Sequence, residues 1–180
     1  HMPVIKFTSA KEIGFDDYFV YRKDTPVDLP AEEVAGAQAA VEDAIRGLEL
    51  RNSSTHCELI RAQDGWSIIE LGPRIGRFRH EMYELSFGLD HALNDMLIHM
   101  NMEPIVDTKP IAHTSAFTFF AEKEGTIAAI EGVEEAQSLE SYVLHRNGEV
   151  SVGGEAKFAK NGGKLIVEFI LSNTDKDSLD

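Results

Sequence analysis

Two short alternating runs, His56-Cys57-Glu58-Leu59-Ile60-Arg61 and Trp66-Ser67-Ile68-Ile69-Glu70-Leu71, flank the turn-forming sequence Ala62-Gln63-Asp64-Gly65. Asp-Gly between alternating runs is a strong local signal for an antiparallel hairpin. Pairing about a centre near Asp64 places Glu58 opposite Glu70. Strand side chains alternate in direction, so His56, Glu58, Ile68, Glu70 and Gly72 are expected on one face. Cys57, Leu59, Ile69 and Leu71 are expected on the other, read here as the core side. Directly opposed Cβ atoms lie about 4.5–5.5 Å apart, and like charges placed there destabilise the pair. A divalent cation resolves that conflict. One or two carboxylates completed by water and substrate phosphate form the ligand set that Mg²⁺ prefers.

A chain of 180 residues, 43 % of them hydrophobic, is long enough for one domain or two small ones with a buried core. His1-Met2 reads as an expression-tag remnant, and the ending Asp175-Lys176-Asp177-Ser178-Leu179-Asp180 would suit the start of a helix, so the chain is read as a piece of a longer protein. No apolar run approaches the roughly 18 residues that a membrane span requires. No basic segment followed by an apolar stretch opens the chain. A soluble, cytoplasmic protein is expected. The formal charge of −14 argues against broad binding to nucleic acid or anionic membranes, which depends on clustered Lys and Arg. The single cysteine, Cys57, excludes an internal disulfide framework and is read as a small core residue rather than a nucleophile.

Along the chain, Val4 to Thr8 and Tyr18 to Arg22 read as short strands, and Ala31 to Leu48 as an amphipathic helix with Val34, Val41, Ile45 and Leu48 inward. Glu32 and Glu33 sit in its first turn, where the helix dipole favours acids. After the hairpin, Arg79 to Phe87 and Asp90 to Met100 read as helices separated by Gly88, with Asp90 as a cap. Met82, Leu85, Leu89, Leu93, Met96, Leu97 and Met100 are expected to line their inner face. Met102 to Pro110 reads as a connector. Beyond it, Thr114 to Ala121, Thr126 to Ile130, Ser141 to His145 and Lys164 to Leu171 are strand-like. Turns are expected at Glu124-Gly125, Asn147-Gly148 and Asn161-Gly162. Gly153-Gly154 and Gly162-Gly163 lack the spacing of a phosphate-binding loop and are read as turn residues. His91, His99, His113 and His145 show no zinc-ligand spacing.

His56-x-Glu58, followed by Glu70-x-Gly72-x-Arg74-x-Gly76, resembles the metal-binding segment of ATP-grasp enzymes. The element order over roughly residues 18 to 172 is similar to the C-terminal half of their ATP-grasp lobe plus the small closing domain of biotin carboxylase, carbamoyl-phosphate synthase and L-amino-acid ligases. The implied fold class is α+β: residues 3–104 as a partial ATP-grasp lobe carrying the metal site, and 105–180 as a small β-rich closing domain. The implied activity is ATP-dependent activation of a carboxylate as an acyl phosphate and its joining to an amine, with amino-acid ligation as one version.

On the resemblance, Glu58 and Glu70 carry Mg²⁺, or Mn²⁺ in its place, and with His56 contact the nucleotide. Arg74 is the catalytic arginine at the phosphoryl group. Arg79 and Arg77 are candidates for the substrate carboxylate. Partners are then a small-molecule carboxylate, an amine, and a preceding nucleotide-binding lobe; a homodimer is also open. The family often has asparagine where this chain has Gly72, which leaves a second metal less fully held. The opposing reading is a non-catalytic ligand-binding or dimerisation module, its two glutamates solvated or paired with Arg61 and Arg74.

Overall fold

The computed structural model describes residues 3–76, 79–107 and 109–179. The elements run β1 (Lys6–Ser9), β2 (Val20–Thr25), α1 (Ala31–Gly47), β3 (His56–Ala62), β4 (Gly65–Gly72), α2 (Arg79–Phe87), α3 (His91–His99), β5 (His113–Phe119), β6 (Gly125–Thr126), α4 (Val133–Gln137), β7 (Tyr142–Asn147), β8 (Glu155–Ala156) and β9 (Val167–Asn173). Short 3-10 turns at Ala10–Ile13, Ala159–Asn161 and Lys176–Ser178 complete the described order. The fold is α+β with antiparallel sheets, as expected. Two compact units form, one on Val27–Lys109 and the other on Val4–Pro26 with Pro110–Asp180.

This division departs from a linear cut at residue 104. The predicted strands at the start of the chain exist, but β2 pairs antiparallel with β5 through Arg22↔Phe117 and Asp24↔Ser115. The second unit is therefore a five-stranded sheet in the order β1-β2-β5-β9-β7. Its core is β9, where Val167, Glu168, Phe169, Ile170 and Leu171 are all buried. Glu168 is fully buried, with Lys23 Nζ at 3.9 Å and Arg146 Nη1 at 3.7 Å. Those neighbours offset the desolvation that a lone buried carboxylate would suffer. Gly148 follows β7 where expected, because a Cβ there would lie 1.9 Å from the Leu165 carbonyl oxygen. Residues 127–130 carry no strand, and α4 has no counterpart among the expected helices.

In the first unit, α1 starts just after Pro30, carries Glu32 and Glu33 in its first turn, and buries Ala37 and Val41 one turn apart. Leu48, expected inward, is 60 % exposed. The helix approaches β4 at Gly36, where a Cβ would meet the Trp66 ring at 3.2 Å. Gly88, in the left-handed region at φ 65°, ends α2. Asp90 caps α3 as expected, its carboxylate accepting from the Leu93 amide at 2.8 Å. Met82 and Leu89 are buried, but the rest of the expected methionine stripe is not: Met96 and Met100 are 62 % and 64 % exposed. Helix α3 instead turns Asn94 inward, whose carboxamide oxygen accepts from the Ile105 amide at 2.6 Å and ties the connector to the helix.

Candidate metal and phosphate site on the β3–β4 hairpin

The hairpin forms where the turn chemistry places it, with Gly65 at φ 132° opening β4. The register is His56↔Gly72, Cys57↔Leu71 and Glu58↔Glu70, so the two glutamates are direct cross-strand neighbours. One residue further the pairing slips to Leu59↔Ile68, leaving Ile69 as an extra residue opposite Glu58 and Leu59. This β-bulge corrects the expected faces. Ile68 joins the side of Leu59 and Trp66, and Ile69, expected in the core, is 64 % exposed.

Each glutamate has an arginine beside it. Arg79, at the start of α2, places Nη2 3.4 Å from Glu58 Oε1. The same oxygen lies 3.5 Å from His56 Nε2. Arg74 places Nη2 3.8 Å from Glu70 Oε1, because its amide donates to the Gly72 carbonyl at 2.8 Å and folds the chain back over the end of β4. The two arginines differ in exposure: the Arg74 side chain is 60 % exposed and that of Arg79 is 15 %. Arg79 reaches Glu58 across Gly76, where a Cβ would lie 2.4 Å from Nη1 and 2.6 Å from Cδ. Gly76 has no positive φ; glycine there provides clearance for the guanidinium.

His56 is 8 % exposed, and neither ring nitrogen has a hydrogen-bond partner among the described residues. Burial, then the positive charge of Arg79, holds its pKa below the ordinary histidine value, Glu58 opposing. That direction favours the neutral ring. Burial and the Glu58 charge raise the Cys57 thiol pKa, which keeps it protonated and unreactive. Burial lowers the Arg79 pKa while Tyr83 and Glu58 raise it, and burial drives the neighbouring Tyr83 hydroxyl up to about 12.

Arg61 does not pair with the glutamates of the hairpin. Its guanidinium takes Glu33 through Nε at 2.8 Å and Nη2 at 3.0 Å, and Glu33 also accepts from Trp66 Nε1 at 3.1 Å. This link between α1 and the hairpin is not visible in the local sequence pattern, which marks Glu33 only as a first-turn acid. Arg77 lies outside the described residues. Among the described residues, no three or more His, Cys, Asp or Glu side chains cluster in a way that could hold a metal ion. What the hairpin supplies is two partly exposed carboxylates, 34 % and 57 % open to solvent at Glu58 and Glu70. That set suits Mg²⁺, which keeps waters and takes phosphate oxygens, and does not suit a closed zinc site.

No family model and no curated protein matches the sequence. Solved structures do match the fold. An L-amino acid ligase from Bacillus licheniformis aligns with a TM-score of 0.75 at 18 % identity, over 89 % of this chain and 40 % of that one. A phosphoribosylglycinamide synthetase from Anaerococcus prevotii aligns at 0.67 and 16 % identity, over 96 % and 44 %. An N5-carboxyaminoimidazole ribonucleotide synthetase, solved as its ADP complex, aligns at 0.61 and 17 %, over 97 % and 41 %. The chain has the ATP-grasp fold, in the form taken by the C-terminal part of such proteins. It spans about two-fifths of the length of these three structures.

Proposed function

We propose that this chain is the C-terminal part of an ATP-dependent carboxylate–amine ligase and carries its divalent-cation ligands. The observation behind this reading is the direct opposition of Glu58 and Glu70, with Arg74 folded back beside Glu70, in an ATP-grasp fold. In the implied reaction a substrate carboxylate oxygen takes the γ-phosphoryl group of ATP, releasing ADP. An amine nitrogen then attacks the acyl carbon and inorganic phosphate leaves. Mg²⁺ held by Glu58 and Glu70 would neutralise charge on the nucleotide phosphates. Glu58 and Glu70 hold their carboxylates on one hairpin whose register fixes their spacing. Arg74, exposed and planar, offers a donor fork to a phosphoryl group. His56 is buried beside Glu58, and its contact with the nucleotide would need the ring to open toward the site on binding. The upstream nucleotide-binding lobe, the substrates and the cytoplasmic setting belong to this same proposal.

A second reading, a non-catalytic module on the same fold, draws on the arginines that already accompany both glutamates. Glu70→Gln in the full-length protein separates the two. The ligase reading expects ATP-dependent turnover to disappear with the fold intact; unchanged turnover removes the metal role.

A further inference from the structure

Both glutamates are accompanied by cations of the chain's own, and the two arginines come from one short segment between β4 and the first turn of α2. Building on the ligase reading, we propose that Arg79 is a positioning residue which holds Glu58 back from a divalent cation until nucleotide phosphate arrives. Metal and phosphate binding are thereby coupled. Three observations carry this. The Arg79 guanidinium lies 3.4 Å from Glu58 Oε1, and His56 Nε2 stands 3.5 Å from the same oxygen without a hydrogen bond to it. Its side chain is only 15 % exposed, so it is packed against the protein beside Glu58 rather than extended into water. Gly76 provides the space it occupies, since any Cβ would collide with it at 2.4 Å.

A guanidinium on a carboxylate opposes a second cation on the same group, because like charges a few ångströms apart repel even when partly solvated. Polyphosphate reverses the balance. An arginine fork matches phosphate oxygens as well as it matches carboxylate. Once drawn to phosphate, Arg79 leaves Glu58 for the metal, and each ligand promotes the other by the same factor.

The test is Mn²⁺ binding followed by electron paramagnetic resonance, with and without a non-hydrolysable ATP analogue. It compares the unaltered full-length protein with its Arg79→Gln, Arg79→Lys, Gly76→Ala and Gly76→Ala/Arg79→Gln variants, each checked for folding by circular dichroism. Arg79→Gln should bind Mn²⁺ alone about 5- to 10-fold more tightly, as expected for removing one nearby cation, and should lose most of the enhancement by nucleotide. Gly76→Ala should act in the same direction, and the pair should be no stronger than Arg79→Gln alone, since both remove one contact. Arg79→Lys should stay near the unaltered protein for metal alone. Unchanged or weaker Mn²⁺ binding in Arg79→Gln overturns the proposal while leaving the ligase reading standing. If Mn²⁺ binding is absent throughout, or survives Glu58→Gln with Glu70→Gln, both readings fall.

Discussion

Glu58 and Glu70 face each other directly across the β3–β4 hairpin, two carboxylates in one cross-strand pair. Such a pair is unfavourable for the fold on its own. Glu70→Gln should therefore leave the denaturation midpoint unchanged or raise it, by up to about 1 kcal/mol of stability, while abolishing stabilisation by divalent cations. Urea denaturation with and without Mg²⁺ reads both effects. A loss of stability in the variant would mean that Glu70 serves the fold.

Glu33 joins Arg61 and Trp66 at one point, tying α1 to the hairpin through a two-armed ion pair and an indole hydrogen bond. Glu33→Ala leaves a half-buried guanidinium and an indole N–H without that acceptor, and should cost about 1.5–3 kcal/mol. Trp66 is the only tryptophan of the chain, so its emission reports on the contact directly. A red shift together with an earlier unfolding midpoint is expected.

His56 is buried with neither ring nitrogen hydrogen-bonded among the described residues. Replacement of such a group by an apolar one of similar size is close to neutral or stabilising. His56→Leu should unfold no earlier than the parent at pH 7 and should bind the ATP analogue more weakly if the ring contacts phosphate. The histidine pKa is lowered in the fold from 6.5. The unfolded chain therefore takes up the proton first, and stability from a neutral His56 is complete above about pH 6.5 and declines as pH falls below it. The leucine variant should show a shallower decline between pH 7 and pH 5.

Asp17, buried in the second unit, accepts from the backbone amides of Ala159 at 2.7 Å, Lys160 at 2.9 Å and Tyr18 at 2.7 Å. Burial alone would raise its pKa, but these donors outweigh burial and the net direction is downward from 3.8. A depressed carboxylate stabilises the fold above its unfolded pKa and loses that contribution as pH falls through the folded value. Asp17→Asn should cost about 1–3 kcal/mol at pH 7 and flatten the loss of stability below about pH 4. Acid titration of the unfolding midpoint checks this.

Features that depend on near neighbours in the chain are legible in the amino-acid sequence. The turn at Ala62–Gly65, the Glu58–Glu70 opposition and the Asp90 cap each follow from residues close together in the chain. What escapes the sequence depends on distant partners. The pairing of Arg22 with Phe117 joins segments on either side of the whole first unit, and nothing local to β2 names its partner. The bulge at Ile69 shifts the face of Ile68 without a glycine to announce it. The exposed Met96 and Met100 show that helical spacing finds an apolar stripe but not what packs on it. Arg79 is legible as an arginine near the site, whereas its approach to Glu58 joins residues 21 positions apart.

The most direct measurement is calorimetric titration of Mg²⁺ with a non-hydrolysable ATP analogue into the full-length protein, beside its Glu58→Gln/Glu70→Gln variant. The ligase account predicts saturable, nucleotide-linked metal binding in the unaltered protein and its loss in the variant. Equal binding by both would contradict the assignment of these two glutamates as the metal ligands.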